Sequence, residues 1–193
     1  MLDTALNILL EELTQYIDLR FKPPEPKVVF SNLIDQDGSV AISGENQIVM
    51  SLVDIQEERF QAYKPQFAQK GDGTFRKENH PIHLNLYVLF SAYFEARSVM
   101  EGVKLLSAVI SFFQSKYIYT KQNAPGLSGS NIEKLIVEMN NTNLQDKSYL
   151  WGMIGAKYMP SVLYKVRMLT IQEEAPSQEV PPIQEIETQT RPS

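Results

Sequence analysis

Pro81-Ile82-His83-Leu84-Asn85-Leu86-Tyr87-Val88-Leu89-Phe90 is the stretch on which the fold turns. Side chains alternate across an extended chain, so Ile82, Leu84, Leu86, Val88 and Phe90 share one face. His83, Asn85, Tyr87 and Leu89 form the other. An uncharged run of this kind predicts a central strand. The period then changes: Val99, Val103, Leu106, Ile110 and Phe113 recur at steps of four, three, four and three, with Leu105, Val109 and Phe112 broadening the stripe. That spacing predicts an amphipathic helix.

Toward the N-terminus, Leu2, Leu6, Leu9, Leu13, Tyr16 and Ile17 mark another helix, which must stop near Phe21 because Pro23, Pro24 and Pro26 follow. Strands are expected at 28–34 and 48–55, with a short run at 40–43 between turns at Asp35-Gln36-Asp37-Gly38 and Gly44-Glu45-Asn46. Residues 56–79 are polar around Gly71-Asp72-Gly73 and read as a long excursion from the sheet, a candidate contact loop. Toward the C-terminus come a short strand at 117–120, a flexible link at 125–130 and a strand in which Leu135, Val137 and Met139 alternate with Lys134, Ile136 and Glu138. A helix over 144–158 ends at Pro160, and a strand over 162–171 puts Lys165 and Arg167 on one face. The expected architecture is α/β (α+β), a mixed sheet flanked by helices in the order α-β-β-β-α-β-β-α-β.

The expected domain covers 1–171, and residues 172–193 form an extended, proline-rich acidic tail. Of the net charge of -5, this tail holds five glutamates against Arg191, leaving the rest at -1. A segment so poor in large apolar residues does not fold alone. Its Val180, Ile183 and Ile186 recur at three-residue steps and suit addition to a neighbouring sheet edge. Extended at about 3.3 Å per residue, the tail reaches roughly 70 Å.

The sequence offers little catalytic chemistry. With no cysteine, disulfides, thiol catalysis and thiolate metal sites are excluded. His80 and His83 stand at the start of a strand, where alternation puts them on opposite faces, and two histidines fall short of the three or more protein ligands a zinc site needs. Asp35-Gln36-Asp37-Gly38 opens like a calcium loop, but Val40 stands where glycine is required and Asn46 where the bidentate glutamate belongs. Gly126-Leu127-Ser128-Gly129-Ser130 has no phosphate-loop lysine and no nucleophile-elbow pattern. Adjacent acids such as Glu11-Glu12 read as solvated faces. No catalytic residue, metal or cofactor is expected. No basic stripe indicates nucleic acid, no apolar run approaches the roughly 20 residues of a membrane span, and no signal peptide is seen, so synthesis in the cytoplasm is expected. Trp151, Gly152 and Gly155 stand out, because glycines inside a helix cost about 1 kcal/mol each relative to alanine and imply close packing, within the domain or against a neighbouring subunit.

Several stretches together resemble the N-terminal domain of the cap, or tail-terminator, proteins of bacterial extracellular contractile injection systems, phage-tail-like particles. They are Leu2-Asp3-Thr4-Ala5-Leu6-Asn7 running into Leu9-Leu10-Glu11-Glu12-Leu13, the strand at 81–90, Leu106-Ser107-Ala108-Val109-Ile110-Ser111-Phe112-Phe113, Ile132-Glu133-Lys134-Leu135-Ile136-Val137-Glu138, and Leu150-Trp151-Gly152 through Pro160-Ser161-Val162-Leu163-Tyr164-Lys165-Val166-Arg167-Met168. The resemblance spans about 1–171. It implies a structural, non-enzymatic subunit that forms a hexameric ring on the tube and sheath distal to the baseplate, in a particle that is released or membrane-anchored. The competing expectation is a monomeric adaptor that recruits a partner through its acidic tail.

Overall fold

The computed structural model describes residues 1–58 and 83–170, and the strands at 67–69, 75–77 and 179–180. The N-terminal helix α1 runs from Leu2–Phe21 and buries Ala5, Leu6, Ile8, Leu9, Leu13 and Ile17, one stripe at helical spacing. It ends where the prolines require: Lys22 turns left-handed (φ 47) and its N–H bonds the carbonyl of Asp18 at 2.9 Å. Strands β1 (Val28–Phe30) and β2 (Gln47–Glu57) follow and pair in parallel. The chain between them departs from expectation. Strand character stops at Phe30, and the run at 40–43 contributes only an isolated bridge, Ile34 to Val40, around a turn in which Gly38 has φ 84. That turn folds Leu33 onto the sheet, where it is buried.

Two short strands, β3 (Phe67–Gln69) and β4 (Phe75–Lys77), form a hairpin inside the expected excursion. The central strand, β5, spans Leu84–Tyr93. After a 3-10 turn at Ala96–Ser98 comes α2 (Val99–Ser115), then β6 (Ile118–Thr120), β7 (Ile132–Met139), α3 (Leu144–Ile154), β8 (Ser161–Thr170) and β9 (Glu179–Val180). Two compact units result. One comprises Met1–Arg59 with Ile82–Ile171, the other Phe60–Pro81 with Gln172–Ser193.

The first unit carries a six-stranded mixed sheet in the order β1-β2-β5-β8-β7-β6, antiparallel except at β1. Its elements follow the expected order α-β-β-β-α-β-β-α-β. As the alternation predicts, Leu86, Val88 and Phe90 point to the main core with α1 and α2, while Leu89 joins a smaller cluster on the other face; Ile82 lies outside the described residues. The stripe of α2 is rotated from expectation: Val99 and Val103 are exposed, and Gly102, Leu105, Leu106, Ala108, Val109, Phe112 and Phe113 are buried. Gly102 permits this. A Cβ there would stand 2.8 Å from the Phe94 ring, so α2 approaches β5 more closely than any larger residue allows. The segment at 125–130 is no flexible link, since Leu127 is buried in a 3-10 turn and Gly126 lies against Ile8.

Candidate functional site

The side of the sheet away from α1 and α2 is covered by α3 and the loop carrying Leu33. Asn143 caps α3, its side chain accepting from the N–H of Asp146 at 2.8 Å. Trp151 is buried against Leu33, Val49 and Leu89, with Tyr158 edge-on at 5.7 Å. Its indole N–H has no hydrogen-bond partner among the described residues. Of the two expected kinds of close packing at Gly152 and Gly155, within the domain or against a neighbouring subunit, the first is absent. A Cβ at Gly152 or at Gly155 would meet nothing within 4 Å. Gly155 is not interior at all: with φ 75 it ends the helix, and its N–H bonds the carbonyl of Trp151 at 3.1 Å, which is why α3 stops at Ile154 rather than near Tyr158.

The outer side of α3 carries Tyr149 and Met153, 67% and 69% exposed, with Leu144 exposed at its start. Next to it is a cavity of about 320 Å³ lined by Val53, Asp54, Tyr87, Thr142, Asp146, Leu150, Met153 and Leu163. Asp54 is the one charge in β2 before Glu57, and its carboxylate accepts from the N–H of Ile55 and from Gln56 Nε2 at 2.9 and 2.7 Å. The Thr142 hydroxyl is buried there without a partner among the described residues.

Further along this face, Lys165 and Arg167 do share a side, as their alternation in β8 requires. Both approach Glu58, Nζ at 3.8 Å and Nε at 3.3 Å. Hydrogen bonding from the Asn85 side chain, opposed by burial and reinforced by the two cations, holds the Glu58 carboxyl below the usual range. The three charges register with strand pairing, Asn85 beside Arg167 and Tyr87 beside Lys165. The sequence held no local sign of this cluster, because its members come from three segments.

His83 is buried, and its Nδ1 accepts from the N–H of Thr170 at 3.3 Å, tying β5 to the end of β8. His80 lies outside the described residues. No group of three or more His, Cys, Asp or Glu among the described residues is placed to hold a metal. No described helix is long and apolar enough to cross a membrane. Of the tail residues, Val180 pairs with Phe75 in a three-stranded sheet β3-β4-β9, while Ile183 and Ile186 lie outside the described residues.

The domain is thus a mixed six-stranded sheet with two helices on one face and one on the other. It resembles the sheath/tube terminator of the PVC extracellular contractile injection system in its extended state, with a TM-score of 0.54 at 12% identity over 95% of this chain. It also resembles the tube-terminating cap of the anti-feeding prophage, with a TM-score of 0.57 at 15% identity over 98% of this chain. The chain spans 64% and 60% of those two proteins' lengths. No curated protein matches the sequence. The profile of the Pvc16 N-terminal domain matches residues 4–185, and the chain belongs to that family.

Proposed function

We propose that this chain is the terminator domain of a cap that closes the inner tube and outer sheath of a contractile injection particle, assembled as a hexameric ring and acting without catalysis. The observation that carries this reading is the family match over 4–185, supported by a fold similar over nearly the whole chain to two terminators of such particles. A polymer of tube or sheath subunits always exposes one more copy of its own growing interface. A cap stops growth by matching that interface without presenting it again. A rigid sheet carrying different surfaces on its two faces suits that task.

The tail belongs to the same proposal. Val180, Ile183 and Ile186 engage a sheath subunit by strand addition, and the pairing of Glu179–Val180 with β4 supports the idea that this segment adds as an edge strand. The ring and the tail separate in one experiment. Particles assembled without the protein are expected to have tubes of uncontrolled length, seen by electron microscopy. Restoring a chain lacking 172–193 is expected to return normal tube length but leave the sheath poorly held. Unchanged particle length in its absence would sink the cap reading and favour the monomeric adaptor.

A further inference from the structure

We propose that the exposed end of α1 in one copy docks into the cavity beside α3 of the next copy, a contact that rests on the ring reading above. The cavity joins aliphatic walls, Val53, Leu150, Met153 and Leu163, to two carboxylates, Asp54 and Asp146. Both carboxylates are exposed, and a partner that covered them would have to supply a positive charge beside its apolar side chain. The chain presents that chemistry elsewhere. Leu19 is 73% exposed near the end of α1, and Lys22, three residues on, is exposed and fixed in a left-handed conformation before the prolines.

The match is reciprocal. Leu19 and Lys22 border an apolar groove of about 620 Å³ floored by Leu10 and Val28, which offers room for Tyr149 and Met153 of the neighbour. The Tyr149 hydroxyl accepts from Gln145 Nε2 at 3.0 Å, so its own proton is free for Glu11 or Asp18, which line the same groove. The two surfaces differ and lie on different layers of the sheet, so the contact is head-to-tail, and repetition by a closing rotation generates a ring. A contact of the cavity with its own copy would instead oppose Asp54 and Asp146 to the same carboxylates.

The chain has no cysteine, so a disulfide test has no background. Leu19→Cys and Met153→Cys replace exposed side chains and leave the core untouched. Upon oxidation the double variant is expected to give a ladder of linked species, an equimolar mixture of the single variants only linked dimers, and each single variant alone none. Lys22→Asp is expected to weaken self-association about tenfold and Asp146→Lys to recover it in combination. A ring by native mass with no linkage in the double variant, or linkage by one single variant alone, overturns the contact and leaves the cap reading standing. A chain that stays monomeric and does not seat on tube ends overturns both.

Discussion

The two faces of the sheet are covered to different standards. Under α1 and α2 the core is continuous from Ala5 through Met168, and three rings meet at its centre: Phe90 to Phe113 at 5.4 Å, Phe90 to Tyr164 at 5.8 Å, Phe113 to Tyr164 at 4.7 Å. Under α3 the buried set is Leu33, Val49, Leu89 and Trp151, the indole N–H has no partner among the described residues, and apolar side chains turn outward. One face carries the larger core, and the other leaves apolar side chains exposed, as the proposed contact between copies requires. A substitution under α1 and α2 should therefore be felt as unfolding, and one on the outer side of α3, if copies meet there, as lost assembly.

The largest effects test that division. Phe90→Ala opens a cavity among ring partners that cannot close over it, and is expected to cost about 4 kcal/mol in urea unfolding. Trp151→Ala is expected to cost about 3 kcal/mol, because its half-exposed surroundings relax into the space. Trp151→Phe discards the unpaired N–H along with some volume and should cost less than about 1 kcal/mol. A Trp151→Phe loss as large as that of Phe90→Ala would erase the distinction between the faces.

A smaller effect sharpens it by pH. Burial pushes the Tyr164 hydroxyl up to about 12, and burial with the nearby Glu12 charge raises Tyr119 as well. Both belong to the first face. In the unfolded chain a tyrosine loses its proton near pH 10, so between about 10 and 12 the unfolded state binds fewer protons than the folded one. The stability from these groups is complete below pH 10 and declines as pH rises through 12. Tyr164→Phe is expected to make that decline shallower in alkaline denaturation. An unchanged slope would show that Tyr164 ionises as readily folded as unfolded.

Much of this architecture was legible because its signals are local. Alternation at 84–90 and the proline stop after Phe21 each depend on neighbours in sequence, and both elements stand where they were expected. The phase of α2 was not legible: Val99 and Val103 fit a helical stripe yet are exposed, and nothing in spacing distinguishes an apolar residue facing the sheet from one facing outward. Gly102 held the missing clue, a small residue where helix and strand come closest. The cavity beside α3 was not legible: Asp54, Thr142, Asp146 and Leu163 converge only once β2, α3 and β8 are assembled. The strands at 67–69 and 75–77 were not legible in a stretch that reads as a polar excursion, nor was their pairing with 179–180, which lies far along the chain.

The smallest effects fall on two glycines three residues apart, and they have opposite signs. Gly152 is inside α3, exposed, with open space where a side chain would go, so Gly152→Ala removes backbone freedom from the unfolded chain and adds no clash. It is expected to stabilise the monomer by about 0.5 to 1 kcal/mol. Gly155 also has open space but holds φ 75, and there alanine meets its own backbone: Gly155→Ala is expected to cost about 1 kcal/mol, and a β-branched residue more. The penalty at Gly155 thus comes from conformation and not from overpacking, and the two causes separate experimentally, since Gly155→Asn, tolerant of the left-handed region, should recover part of the loss. Gly152 serves a second purpose, because it lies on the outer side of α3 between Tyr149 and Met153. If Gly152→Ala raises the melting temperature yet weakens self-association, the glycine is retained for the approach of a neighbouring copy; if it raises both, Gly152 is a plain helix defect and the surface around it is not an interface.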